Sequence, residues 1–434
     1  MIKLLSKIKL KGILLTLMVF ALGQVSGINP AVSLLVLFLY LYCKLRGLIN
    51  ANATLINISL VFLIIFTAGY LILRNNLALY LIPFSLGAML LVLLFSSLEL
   101  SMAISLAAAI SLSSISKPSS QLIILFMISS ILSATLIRGA RKRNTIIQAG
   151  IITGLFQAAV FILTRNNEAS LSQATYFLVN GLICSIIVLG VLPIFEYLFG
   201  AITNISLLEL ADSHHPLLER LIQEAPGTYH HSLIVGNLSE SASKAIGANA
   251  LLSRVGAYYH DIGKLQKPGY FSENQNGNSN KHDDLSPEMS KLVIMKHVRE
   301  GVDLAKEYKL NPALIDFIEQ HHGKSLVYYF YLRALENPKE DQQVEEEGYR
   351  YPGPKPKSKE TAIVLLADSV EAAVRSLKEP NPQAIEGLVH KVINNKFIDG
   401  QLDECDLKLK DLEKISAVFI KLLCGIYHSR ESYR

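Results

Sequence analysis

From residue 12 to residue 199 one apolar run follows another, with few charges between them, and a water-soluble fold has no interior large enough to hide so much hydrocarbon. A membrane span needs about 20 apolar residues, with about 17 as the lower limit. The runs then read as Gly12–Ile28, Pro30–Leu45, Leu55–Leu73, Leu77–Ser97, Leu100–Ile115, Gln121–Ile137, Ile146–Thr164 and Ala174–Phe199, or about eight helical spans. The second and fifth are the shortest. Charge divides the chain at the same place. Met1–Gly200 has thirteen Lys or Arg against three acidic residues, whereas Ala201–Arg434 has 28 against 33, together with all eleven histidines. Lipid is the expected solvent of the first part and water that of the second. The expected organisation is a helical transmembrane domain over 1–200, a juxtamembrane helical linker over 201–226, and a soluble domain over 227–434.

Basic residues orient such a chain, because loops rich in Lys and Arg stay on the cytoplasmic side. Lys3, Lys7, Lys9 and Lys11, the Lys44/Arg46 pair and the Arg138, Arg141, Lys142, Arg143 cluster all fall inside on an eight-span path. That path also delivers Ala201 onward to the cytoplasm. Gly12–Ile28 has the basic flank and small residues of a signal peptide, but more apolar chain follows at once, so it is expected to be retained. Intramembrane polar residues are few: Gln148, Gln157, Asn180 and Glu196, the last near the inner end. This gives a transport pathway no support. Pro193 is expected to kink the last span. Cys43, Cys184, Cys405 and Cys424 show no paired spacing and read as packed thiols.

After residue 200 the signals are helical. Pro216 opens Leu217–Glu224, with His214 and His215 before it as a cap and a solvated neighbour. Ser286-Pro287 starts a helix through Lys306, Asn311-Pro312 starts Ala313–His322, and Gly323 ends it. Thr361–Leu377 and Asp411–His428 are further amphipathic helices. No stretch alternates as a strand does, so the soluble domain is expected to be all-α. Phe271–Asp284 is polar and reads as a loop. The proline-rich stretch within Asn337–Lys359 is either a surface linker or a lid beside a site.

The chemistry-bearing residues come in series: His231, His260-Asp261, His297, His321-His322 and Asp368. Imidazole with carboxylate suits divalent iron, manganese or zinc, whereas an all-oxygen set would suit magnesium. One carboxylate shared by two ions gives a dinuclear site. A pair of ions about 4 Å apart can hold a hydroxide nucleophile and clamp phosphate oxygens, so no serine or cysteine nucleophile is needed. Asp368 is the most telling member, because an acid at the end of the apolar run Ala362–Ala367 is costly to bury unless paired or metal-bound. Gly263 is expected to end the His260-Asp261 helix, leaving Lys264 beside the metals as a point charge for a phosphate. His282, His390 and His428 fall outside the series and are assigned to the surface. The acidic balance of the soluble part excludes a nucleic-acid duplex as partner.

Several longer motifs run through the same region: Glu224-Ala-Pro-Gly-Thr-Tyr-His-His-Ser232, Val255-Gly-Ala-Tyr-Tyr-His-Asp-Ile-Gly-Lys264, Tyr270-Phe-Ser-Glu-Asn-Gln275, Tyr351-Pro-Gly-Pro-Lys-Pro356 and Ala367-Asp-Ser-Val-Glu-Ala-Ala373. In these the chain resembles the seven-transmembrane HD proteins of bacteria. The resemblance implies a phosphodiesterase of the plasma membrane, its catalytic domain cytoplasmic, that opens cyclic di-AMP to linear pApA. It implies two divalent transition-metal ions, manganese or iron foremost. The ligands implied are His231, His260, Asp261, His297, His321, His322 and Asp368, with Asp261 as the bridging carboxylate. Asp261 and Lys264 are the implied catalytic residues, and Lys264 and His322 the candidates for substrate contact. Which ring nitrogens ligate, and whether His322 takes metal or substrate, stay open, as does a homo-oligomeric assembly. One departure stands out: family members usually carry a large extracellular domain after the first span, and here that place is only about Gln24–Asn29.

Two rival functions share these residues. The same metal site could act on another nucleotide, or an HD fold could serve as a non-catalytic nucleotide receptor. The complete ligand series disfavours the receptor. The topology has its own test: reporter fusions placed before Met1 and after Arg434 are both expected to read out on the cytoplasmic side. An external report from the first would require an odd number of spans.

Overall fold

The computed structural model describes residues 52–116, 120–165, 171–275, 280–336 and 344–427. The first two expected spans, the Gln24–Asn29 segment, Cys43 and His428 lie outside the described residues. Contacts divide the chain into two compact units, the first ending at Ile205 and the second running Ser206–Arg434. Among the described residues there is no strand, only an isolated bridge between Leu326 and Arg350. The chain is all-α, as its periodicity implies.

The first unit contains α1 (Asn52–Arg74), α2 (Phe84–Phe95), α3 (Leu98–Ser116), α4 (Ser120–Ile137), α5 (Arg143–Arg165) and α6 (Leu171–Phe199). Three segments, Ile56–Arg74, Arg143–Thr164 and Leu171–Phe199, are long and apolar enough to cross a membrane by length and composition. They leave large apolar side chains uncovered, among them Leu63, Leu155 and Ile186, each more than half exposed. Water does not tolerate so much contiguous hydrocarbon, and lipid does. α6 runs through Pro193 as one 29-residue element.

The run expected as the single span Leu77–Ser97 is broken. Pro83 has no N–H, and its ring clashes with a helical turn before it. The chain makes only a short 3-10 turn over Leu79–Leu81 and starts α2 afresh at Phe84. α2 has 12 residues, about 18 Å of rise, against a hydrocarbon core of about 30 Å. Every residue from Phe84 to Leu94 is buried. A broken helix inside an apolar unit leaves backbone carbonyls without their helical donors. Asn180 of α6 supplies donors here: its side-chain amide donates to the Tyr80 carbonyl (2.6 Å) and to the Ile82 carbonyl (3.0 Å), which the Phe84 N–H also meets at 2.9 Å. The Ser101 hydroxyl donates to the Ala88 carbonyl at 3.1 Å.

The second unit contains α7 (Asn204–Leu210, which begins just before the boundary), α8 (Pro216–Glu224), α9 (Pro226–Ile246), α10 (Ala250–Tyr259), α11 (Pro287–Glu307), α12 (Pro312–Gln320), α13 (Tyr328–Glu336), α14 (Lys359–Arg375), α15 (Pro382–Ile398) and α16 (Leu409–Ile426). The expected starts are there. The Ser286 hydroxyl accepts from the Met289 N–H, and the Asn311 side chain accepts from the Ala313 N–H. α14 is the axis of the unit: Ala362 to Ala367 have no exposed surface, and α9, α10, α15 and α16 pack around them. His215 stands at the N-cap position of α8 but makes no capping hydrogen bond; its ring packs edge-on against Tyr259. His214 is exposed and pairs with Asp212 at 2.8 Å.

Replacing Asn180 by Ala removes a side-chain donor from the part-buried Tyr80 carbonyl and leaves the buried Ile82 carbonyl with the Phe84 N–H alone. A cost of about 1–3 kcal/mol is expected, seen as a lower melting temperature of the detergent-purified chain. An unchanged melting temperature would mean that those carbonyls find other donors.

Candidate metal centre

Five segments far apart in sequence bring their polar side chains to one point beside α14. α9 contributes His231, the C-terminal end of α10 contributes His260 and Asp261, and α11 contributes His297. The end of α12 contributes His321 and His322, and α14 contributes Asp368. All but His322 are buried. Gly263 has a different role from the helix stop expected of it. α10 has already ended at Tyr259, and Gly263 lies in a 3-10 turn, Ile262–Gln266. A Cβ there would collide with the His297 carbonyl and the Gly301 backbone. Its missing side chain is what lets the HD segment touch α11 and meet His297.

The two oxygens of Asp261 face different histidines. Oδ2 is 3.3 Å from His260 Nε2 and 3.8 Å from His231 Nε2. Oδ1 is 3.4 Å from His297 Nε2 and 3.5 Å from His321 Nε2. Asp368 closes both sides, with Oδ1 3.0 Å from His231 Nε2 and Oδ2 3.5 Å from His322 Nδ1. Among the described residues possible ligand atoms form three overlapping groups, His231/His260/Asp368, His297/His321/His322 and, joining them, His260/Asp261/His321, the atoms of each within 4.8 Å of one another.

Tautomers follow from the other ring nitrogens. His260 Nδ1 donates to the Ala257 carbonyl at 2.6 Å, His297 Nδ1 to Ile294 at 2.5 Å, and His321 Nδ1 to Ile318 at 2.9 Å. His231 Nδ1 meets the Glu371 carboxylate at 2.5 Å. With Nδ1 carrying a proton, Nε2 is in each case the nitrogen left to face inward. His297 and His321 point theirs at one another across 3.1 Å, an arrangement that only a cation or a proton relieves. His260 Nε2 and both Asp261 oxygens, all buried, receive no hydrogen bond of normal geometry. Asp261 Oδ2 has the Lys264 ammonium at 2.7 Å, and the nitrogen and oxygen atoms otherwise left without hydrogen bonds fit divalent transition ions.

Protonation is strongly biased here. Burial pushes His297 down to about 3, so it stays neutral. Burial, with His321 beside it, also holds His322 well below the usual histidine range. At His260 burial pulls the same way, but the carboxylates of Asp261 and Asp368 outweigh it and raise the imidazole to about 10. A cation arriving there displaces a proton.

Lys264 lies differently from the expectation. Its ammonium is clamped between Asp261 Oδ2 and Glu273 Oε1, 2.7 Å from each, and lies over the Phe271 ring. Burial opposes ionisation of Glu273, yet Lys264 outweighs it and brings the carboxyl down to about 2. The charge expected to be free for a phosphate is already neutralised by two carboxylates. His282, assigned to the surface, is 4% exposed: its Nε2 meets the Tyr270 carbonyl at 2.9 Å, and its ring packs on Phe330. His390 is exposed as expected.

The proline-rich stretch reaches the centre through Tyr351, which is buried and stacks on His322 at 4.3 Å between ring centroids. Glu273, Tyr351 and Glu371 went unassigned, although all three lie in the quoted motifs; Glu371 follows Asp368 by one helical turn. Lys396, on α15, carried no signal at all. Its ammonium donates to Ser325, three residues beyond His322, at 2.6 Å.

Comparison with known proteins identifies the same two parts. A family model described as a 7TM receptor with intracellular HD hydrolase matches residues 15–203, and an HD domain model matches 228–373. The chain is 46% identical over 317 residues to the cyclic-di-AMP phosphodiesterase PgpH of Bacillus subtilis, covering 71% of this chain and 44% of that protein. It is 37% identical over 429 residues to PgpH of Listeria monocytogenes, covering 94% and 59%. The chain thus spans about half the length of these relatives. Crystal structures of the L. monocytogenes PgpH HD domain, one with cyclic-di-AMP, match at 47% identity and a TM-score of 0.47, over 50% of this chain and 100% of theirs.

Removing the Lys264 charge should leave two buried carboxylates facing each other. Lys264→Met is expected to destabilise the chain by about 3–5 kcal/mol, the range for breaking a buried pair. Glu273→Gln added to it should recover part of the loss. Thermal melts of the single and double variants check this; strictly additive effects would mean that the two side chains act independently.

Proposed function

The chain belongs to the family of 7TM receptors with an intracellular HD hydrolase, and from that premise we propose that it is a membrane-bound, metal-dependent phosphodiesterase that hydrolyses cyclic di-AMP to linear pApA. The observation that carries the proposal is the division of one buried carboxylate between two histidine groups: Asp261 Oδ2 toward His231 and His260, Oδ1 toward His297 and His321. The names of the relatives support the choice of substrate. The chain is a membrane protein; multiple passes and a cytoplasmic second unit are part of the proposal, resting on the Lys and Arg distribution.

On this proposal His231, His260 and Asp368 hold one divalent ion, His297, His321 and His322 hold the other, and Asp261 holds both. Two such ions supply an activated water and neutralise the phosphodiester's charge. The chain's own part is to hold donors rigidly. Helix carbonyls fix the His260, His297 and His321 rings with Nε2 inward, so no reorganisation is needed as charge develops. Lys264, held by Glu273, keeps the Asp261 carboxylate ionised and aimed. Tyr351 holds the His322 ring from the other face. Lys396 places a second ammonium near the loop after His322, where an incoming phosphodiester would meet positive charge.

The detergent-purified chain with manganese and a panel of cyclic and linear nucleotides tests this. Cyclic di-AMP is expected to be consumed and pApA formed. Asp261→Ala should lower the rate by on the order of a thousandfold or more, with helical circular dichroism retained. Hydrolysis that survives Asp261→Ala in a folded protein would remove the metals from the mechanism. Turnover of another nucleotide alone would keep the centre and replace the substrate.

A further inference from the structure

Of the four histidines that turn Nε2 inward, His231 alone has its opposite nitrogen held by a charged side chain rather than by a backbone carbonyl of its own helix. The holder is Glu371, which is 1% exposed. No lysine or arginine among the described residues pairs with it. A carboxylate taken out of water needs a compensating partner, and a neutral imidazole is a poor one. It becomes a good one when a cation on the far nitrogen polarises the ring and makes the near N–H more acidic. Asp368, one helical turn earlier on α14, approaches that far nitrogen at 3.0 Å. One face of α14 thus presents a metal ligand and, three residues later, a support for a second ligand.

We infer that Glu371 is the positioning residue of one half of the metal centre: it fixes His231 in the tautomer and orientation that give Nε2 to the ion shared with His260 and Asp368, and it has no such part in the His297/His321/His322 half. The inference rests on the two-ion proposal above and deepens it. Carboxylates behind a ligating imidazole hold the ring and increase its basicity, and losing one typically weakens metal binding by about 10- to 100-fold. The geometry makes that loss one-sided. Glu371 touches His231 and none of the other histidines, and those of the second half are held by Ile294 and Ile318, which an α14 substitution leaves in place.

The test counts metal rather than product. Wild type, Glu371→Gln and Glu371→Leu are purified as the full chain in detergent, equilibrated at a series of fixed free manganese concentrations, and assayed for bound metal. Wild type is expected to retain two ions. At free manganese just sufficient to fill wild type, each variant is expected to retain one. The second ion should bind roughly tenfold more weakly in Glu371→Gln and about 100-fold more weakly in Glu371→Leu. Excess manganese should restore both occupancy and hydrolysis in Glu371→Gln, which a purely structural defect would not allow. Two ions held with wild-type affinity by both variants would overturn the inference while leaving the metal centre intact. So would loss of both ions together with helical circular dichroism in Glu371→Gln, because that describes a packing residue. If Glu371→Leu does not fold, the isosteric Gln variant decides alone. A wild-type chain that binds no ion removes the two-ion proposal itself, and this inference with it.

Discussion

A carboxylate buried to 1% exposure, with histidine nitrogens on both sides and a lysine at its edge, is the constraint around which the second unit is built. Such a group is tolerated only where its surroundings supply positive charge. The rest follows from arranging that supply. α10 must stop just before His260-Asp261, the following 3-10 turn must approach α11 closely enough to exclude any side chain at Gly263, and α14 must run through the middle with Asp368 at the end of its driest stretch.

Backbone geometry does much of the work usually credited to side chains. Three of the histidine rings at the proposed centre are oriented by carbonyls three residues earlier in the chain, so the backbone that delivers the histidine also biases its tautomer. Lys264 shows how charge near such a centre is handled. It lies between two carboxylates, and sequence spacing could not show Glu273 folding back from a loop to meet it.

The fold class, and the residues that gather in the proposed metal centre, were legible in the sequence because they rest on local signals: helix caps with proline at the first position, a long apolar run ending in an acid, and histidines set on helices. What escaped depends on contacts between distant segments. Leu77–Ser97 has the hydropathy of a span, and only Pro83 hints that it breaks; that the broken backbone is rescued by Asn180, about a hundred residues later, has no sequence signature. His282 looks like a loop residue because its loop is polar, yet the loop folds inward onto Phe330. Glu371 stood within a quoted motif, one turn from Asp368, and could have been found by asking which residues share that helix face. Lys396 could not have been found, because α15 carries no motif.

His231 and Asp368 are separated by 137 residues and meet at 3.0 Å. An ion that joins them closes a loop longer than half of the second unit. On the two-ion proposal the unfolded chain has no such cluster, so the ion would bind the folded form and stabilise it by mass action, by about 2.7 kcal/mol when free metal is a hundredfold above its dissociation constant. On that proposal the stability of the fold would follow the supply of metal, and starvation for it would lower that stability before it emptied the site.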